Sequence, residues 1–178
     1  MKQMIDPFDY AGYICKAMNP GILLTTTSGG KVNTMTIGWG MIGIEWSKPI
    51  FIGFVRESRF TRTMLKENAE FTINVPYGDF DKHILGYAGR TSGRDVDKIT
   101  ELGLTLEQPE TISVPGIREF PLTLECKVRY VQDQDLSRLE EPFLSRYYPQ
   151  NVDPSFPGSN RDYHVAFYGE ILAAYIIE

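Results

Sequence analysis

Residues 36–43, TIGWGMIG, set Gly38, Gly40 and Gly43 in the order G-x-G-x-x-G, the letter pattern of a dinucleotide-binding turn. Such a turn leaves a strand and opens a helix, with an acidic residue about 20 positions further on. The chain instead continues IEWSKPIFIGFV, with Pro49 six residues past Gly43 and no helical period. A proline followed by a β-type run excludes a helix of useful length. The three glycines therefore lie within or at the end of a strand. A doubly wound sheet, which needs regular βαβ alternation, does not account for this region.

The rest of the chain has the same character. Residues 6–19 read as a short amphipathic helix with Asp6 or Asp9 near its start, and residues 20–44 as two strands around Ser28-Gly29-Gly30. PIFIGFV is a further strand, and RESRFTRTMLKENAE a loop and then a helix with Ser58 or Thr61 as N-cap. FTINVP is a strand, and residues 77–90 a helix capped by Asp79 and ended around Gly86 or Gly89. A glycine-containing loop and a shorter helix follow over residues 91–104. FPLTLECKVRYVQDQDL alternates, with Leu122, Leu124, Cys126, Val128 and Tyr130 on one face. Residues 137–162 are polar and proline-rich, an excursion loop with one helical turn. Residues 163–178 close the chain as one or two strands. Several strands follow one another directly, which predicts a mainly β, antiparallel barrel with added peripheral helices, in a single domain over residues 1–178.

Composition narrows the function. A net charge of -5 argues against nucleic acid as a partner, because neutralising phosphates needs a basic face. No apolar run approaches the roughly 18 residues of a membrane span, and the first residues lack the apolar core of a secretory signal, so a cytoplasmic location is expected. Cys15 and Cys126 are too far apart for a CxxC pair and read as two buried, reduced thiols. With only His83 and His164, no metal site is expected.

Within the glycine-bearing strand, Val32, Thr34, Thr36, Gly38 and Gly40 alternate with Asn33, Met35, Ile37, Trp39 and Met41. One face thus shrinks to nothing beside a tryptophan. This suits either a bend in a barrel or a flat ligand lying on exposed backbone, with Asn33 and Thr36 near its polar edge. The stretch RESRFT places Arg56, Ser58, Arg59 and Thr61 just before a helix, which reads as a phosphate site or as an ordinary cap with solvated arginines. GRTSGRDVDK adds a polar turn with Arg90, Ser92, Arg94 and Lys98, either a ligand contact or an exposed connection. Together these segments suggest an anionic ligand with a flat ring.

The ordered set GILLTTT, VNTMTIGW, KPIFIGFVRESRFTRTMLKENAEFTINVP, SGRDVDKI and HVAFYGEI resembles the flavin reductase-like proteins, flavoredoxins included, over roughly residues 15–175. The resemblance implies a six-stranded Greek-key split barrel, a homodimer, and FMN near the subunit interface. It places Asn33, Met35, Thr36, Ile37, Gly38, Trp39 and Gly40 at the isoalloxazine ring and ribityl chain. It assigns Ser58, Arg59 and Thr61, with Arg56 beside them, to the phosphate turn, and implies contacts from Ser92, Gly93 and Lys98. The activity implied is that of an FMN-dependent oxidoreductase, a flavin or ferric reductase with NADH or NADPH as transient hydride donor and a small molecule or protein as acceptor. The alternative is a non-catalytic, flavoredoxin-type electron carrier reduced by a partner protein. His164 is the candidate for a catalytic role near the open flavin face; otherwise it is a hydrogen-bonded histidine on a strand. Arg90 or Arg94 would help to hold the phosphates of the nicotinamide nucleotide.

Overall fold

The computed structural model describes residues 1–178 apart from 154 and 156–158. Its strands are β1 (Lys2–Met4), β2 (Ile22–Ser28), β3 (Lys31–Ile37), β4 (Gly40–Glu45), β5 (Lys48–Arg56), β6 (Glu70–Val75), β7 (Leu106–Glu107), β8 (Gly116–Ile117), β9 (Leu122–Asp133) and β10 (His164–Ile177). Its helices are α1 (Ala11–Ala17), α2 (Phe60–Glu67), α3 (Lys82–Arg90), α4 (Lys98–Glu101) and α5 (Phe143–Tyr147). One antiparallel sheet runs β3-β2-β6-β9-β10-β5-β4, with β1 added to the far end of β10. The mainly β, antiparallel architecture follows the expectation. Among the described residues the sheet has eight strands rather than six, because β1 adds an edge and because residues 31–44 form two strands, not one.

That division shapes the molecule. β3 pairs with β2, whereas β4 pairs with β5, so consecutive strands stand at opposite ends of the sheet. The two residues Gly38–Trp39 carry the chain across, and β3 comes to lie beside β5. The sheet is thus curled but split along the outer edge of β3. Two tight hairpins set the registers of its ends. Gly29 and Gly30 take φ of 56° and 78° between Ser28 and Lys31, the left-handed pair of a two-residue turn. Trp46 and Ser47 take φ of 52° and 56° between Glu45 and Lys48, a conformation that costs a non-glycine residue about 1 kcal/mol.

The barrel interior is filled by Leu24, Phe51, Phe71, Ile73, Leu124, Cys126 and Phe167. A second apolar cluster, including Leu23, Ile84, Leu85 and Phe120, seats α3 on the outside. Gly169 lies at a register shift of β10, where an added Cβ would come within 2.5 Å of Phe71 and 2.8 Å of Cys126 Cβ. Gly169→Ala should cost about 1–3 kcal/mol by overpacking, read as a lowered Tm at unchanged fold; a Tm equal to wild type would show that Phe71 has room to move.

Local boundaries differ from the sequence reading where side chains have other partners. Arg59, not Ser58 or Thr61, is the N-cap residue of α2, because Ser58 is bonded to Asp162 and Thr61 already lies inside the helix. Asp81 rather than Asp79 caps α3, accepting from His83 N at 2.8 Å. α3 passes through Gly86 and Gly89 to Arg90, with Ala88 and Leu85 packed beneath it. Cys15 is exposed and only Cys126 is buried. The excursion contains a 3-10 turn at Leu136–Arg138 and α5, and its residues 154 and 156–158 lie outside the described residues. Among the described residues no helix is long and apolar enough to cross a membrane.

Candidate functional site

The open edge of β3 borders a groove. Its first cavity, about 160 Å³, lies between the start of α2, the turn at residues 91–95 and the end of the excursion. It gathers Asn33, Met35, Arg56, Ser58, Arg59, Thr61, Ser92, Gly93 and Lys98. A second cavity, about 190 Å³, shares Met35, Arg56 and Arg59 and adds Thr36, Ile37, Gly38, Trp39 and His164. A recess continuing past Gly38 and Trp39 includes Gly40. Every residue singled out in the sequence for cofactor contact therefore lines one connected depression.

The strand itself explains part of this. In an antiparallel ladder, alternate residues turn their N–H and C=O groups away from the partner strand. On β3, an edge strand, these are Val32, Thr34 and Thr36. Thr34 O is met by Lys98 Nζ at 2.9 Å, and Lys98 also donates to Ala88 O at 2.8 Å. Lys98 is 4% exposed, and burial, with the nearby Arg59 cation, lowers it to about 8. On the inner face, Asn33 is 2% exposed. Its Nδ2 donates to Thr61 Oγ1 at 3.1 Å, while its Oδ1 has no partner among the described residues. Gly93 sits directly against it: an added Cβ would fall 2.0 Å from Asn33 Oδ1.

Positive charge concentrates at the first cavity. Arg59 borders both cavities, and its guanidinium has no hydrogen-bond or ion-pair partner among the described residues. The backbone N–H groups of Phe60 and Thr61, at the start of α2, are also without partners there. Unpaired N–H groups, the helix dipole and two cations make this end suited to an anion. Arg94 donates to Ser58 O at 3.2 Å and lies 5.5 Å from the centre of the Phe60 ring. Lys31 covers the same ring at 5.5 Å and bonds Gly93 O.

Two expected contacts prove to have other work. Arg56 donates to Asp162 O at 2.7 Å, Asn160 O at 3.0 Å and Tyr147 O at 3.0 Å, pinning the end of α5 and the last residues of the excursion. Ser58 gives its N–H and hydroxyl to Asp162 Oδ2, at 2.9 and 2.7 Å. These bonds help to hold Asp162 below the usual carboxylate range against the opposing effect of burial. Arg90 turns back to Gly86 O at 3.1 Å and lines none of these cavities, so Arg94 is the one of the pair placed at the groove. At Gly40 an added Cβ would meet Phe51, Met18 and Ile52 O at 2.9–3.1 Å, whereas at Gly38 the one neighbour given is Met18 O at 3.4 Å. Gly40 is required by packing within the protein.

At the far end, the Trp39 ring lies 4.8 Å from His164 and 5.3 Å from Tyr147. His164 is 7% exposed, with Nδ1 2.8 Å from Tyr148 Oη. Burial first, and then Arg56, depress it to about 4, so it is neutral at neutral pH. Because the unfolded chain holds that proton up to about 6.5, the stability associated with neutral His164 is lost as pH falls from there toward 4. Asp162, Phe60 and Phe54 complete the walls and were not foreseen. Asp162 lies 104 residues from its partner Ser58, and no local pattern signals such a contact.

Residues 16–178 match the family model described as flavin reductase like domain, and the chain belongs to that family. An uncharacterized protein of Archaeoglobus fulgidus is 34% identical over 98 residues, 55% of this chain and 54% of the relative. The match thus spans a little over half the length of that curated relative. The crystal structure of flavoredoxin from Methanosarcina acetivorans is 29% identical with a TM-score of 0.63, over 89% of this chain and 68% of that one. An NADH:FAD oxidoreductase of Streptomyces globisporus shares the fold at 14% identity and a TM-score of 0.62, over 98% and 87% of the two chains.

Proposed function

We propose that this chain is an FMN-binding oxidoreductase that takes hydride from NADH or NADPH and delivers electrons to a free flavin, a ferric complex or a protein. The observation that carries the reading is Arg59, a cation without a partner among the described residues, set between a polar cavity at a helix N-terminus and a second cavity walled by Met35, Ile37 and Trp39. The residues fit FMN on their own terms. Among the described residues, the first cavity offers cations and free N–H groups to a phosphate, and the buried Asn33 Oδ1 lacks a donor of the kind a ribityl hydroxyl provides. When bound, FMN supplies the hydride and electron chemistry that side chains cannot. Arg59, Lys98 and the start of α2 hold the phosphate, and Asn33 fixes the chain behind it. Thr36 offers backbone groups on the open edge to a polar ring edge, while Met35 and Trp39 exclude water from its apolar part. Arg94, at the rim, attracts the phosphates of the hydride donor.

The test is anaerobic addition of NADH, then NADPH, to the FMN-loaded chain. Loss of the long-wavelength flavin band with one of them is expected. Failure with both, together with rapid reduction by a reduced partner protein, would overturn the reductase reading in favour of an electron carrier. That second reading is supported by the likeness to the Methanosarcina flavoredoxin.

The same reading includes a homodimer. Met41, Ile52, Tyr168 and Tyr130 lie in register across four strands on the outer face of the sheet, with Trp46 against the two tyrosines. Met41, Tyr130 and Trp46 are 56%, 46% and 53% exposed. This apolar face continues into the groove through Trp39 and Phe54, so a second copy seated on it would also cover the ring end of the site. Sedimentation of a monomer at micromolar concentration would contradict the pairing.

A further inference from the structure

His164 is gripped by a residue of the excursion that its own strand gives no hint of. Tyr148, 4% exposed, directly follows α5, and its Oη lies 2.8 Å from His164 Nδ1 and 2.7 Å from Gln134 Oε1. A phenol has one proton to give, and an amide oxygen only accepts. With the Gln134 amide assigned carbonyl-first toward the phenol, the proton goes to Gln134, and the short contact to His164 then requires Nδ1–H as donor. A neutral imidazole has a single N–H, so Nε2 is left as a bare lone pair. Nε2 has no protein partner among the described residues, and the ring lines the groove together with Gly38, Trp39 and Arg56. We infer that Tyr148 is a positioning residue that fixes His164 as the Nδ1–H tautomer, so that His164 meets a ligand in the groove as a hydrogen-bond acceptor and not as a proton donor.

The surroundings favour this state. Arg56 lies 5.1 Å from the centre of the Tyr148 ring, and with Arg59 it opposes a positive charge on His164. Asp162 acts the other way, but its carboxylate is engaged by Ser58 and stands 3.8 Å from Arg56. Burial keeps the Tyr148 phenol protonated by raising it above its ordinary value. The ligand group that matches a bare Nε2 is an N–H or O–H donor, and the carboxamide of a nicotinamide is one. That last assignment rests on the oxidoreductase reading above; the tautomer does not.

The imidazole nitrogens of the full chain, without added ligand, can be read by long-range proton–nitrogen NMR. His83 and His164 are the only histidines, and His83→Gln assigns the signals. In wild type, His164 should show a protonated Nδ1 and a bare Nε2, constant across neutral pH. Tyr148→Phe removes the acceptor and should make the other tautomer predominant. Gln134→Glu, which can only accept, should keep the wild-type pattern, whereas Gln134→Leu frees the phenol proton for His164 and should reverse it. A protonated Nε2 in wild type, unchanged nitrogens in Tyr148→Phe, or reversal in Gln134→Glu would each overturn the assignment. In the FMN-loaded enzyme, Tyr148→Phe should raise KM for the hydride donor about fivefold with kcat within about twofold. If wild type oxidises neither NADH nor NADPH, the oxidoreductase reading fails while the nitrogen spectra still decide the tautomer.

Discussion

Gly93→Ala should lower the affinity for FMN by about a hundredfold while leaving the barrel folded. The added methyl would lie 2.0 Å from Asn33 Oδ1 and 2.7 Å from its Cγ, distances no packed pair sustains. Asn33 cannot yield easily, because it is 2% exposed and tied to Thr61. Either the Asn33–Thr61 bond breaks, leaving buried polar groups at about 1–3 kcal/mol, or the 91–95 turn moves off β3 and opens the cavity. Both outcomes disrupt the same wall, and about 2.7 kcal/mol corresponds to the hundredfold loss. Fluorescence titration with FMN measures it, and a thermal melt reports the accompanying stability loss. Wild-type affinity in Gly93→Ala would show that the contact between this turn and the strand plays no part in binding.

Lys98→Met is the second large effect, and its signature is a pH dependence. Neutral Lys98 can still donate to Thr34 O and Ala88 O, since an amine has two N–H groups for two carbonyls. Only the charged form has a third N–H for an anion in the cavity. With its pKa lowered to about 8 by burial and Arg59, Lys98 loses its proton above that pH in the ligand-free chain. FMN affinity should therefore fall as pH rises above about 8, while riboflavin affinity stays level. Lys98→Met should bind FMN about tenfold to a hundredfold more weakly at pH 7, with that pH dependence abolished. The stability of the ligand-free protein carries the opposite sign. Between about 8 and 10.5 the unfolded chain holds the proton that the folded chain has released, so this group makes stability rise with pH there. The rise should be absent in Lys98→Met. Parallel FMN and riboflavin profiles would remove Lys98 from the phosphate site.

How much of this was written in the sequence depends on whether the cause is local. The failed helix after Gly43 and the direct succession of strands exposed the fold class. The break at Gly38–Trp39 did not show, because nothing in the alternation of residues 31–44 marks where one strand leaves β2 and the next joins β5. The groove residues were legible as short polar clusters beside a helix start and a glycine turn. Their division of labour was not. Arg56 and Ser58 look like phosphate ligands until the excursion folds back and Asp162 and three carbonyls occupy them. Arg59, one position further, is the group left without a partner among the described residues. Gly93 and Asn33 meet across 60 positions of chain, and Tyr148 reaches His164 from a loop with no regular pattern. Such contacts arise from tertiary approach and leave no periodic trace.

On the proposed function, one ligand spans the groove, with its phosphate at Arg59 and Lys98 and its ring at Trp39. Trp39 and Trp46 are the only tryptophans, so in Trp46→Phe the indole emission reports Trp39 alone. Titrating that variant with FMN and then with riboflavin tests both ends at once. The expected result is saturable quenching at one flavin per chain, with FMN bound about a hundredfold more tightly than riboflavin. Equal affinities for the two, or FMN bound with Trp39 emission unchanged, would contradict it.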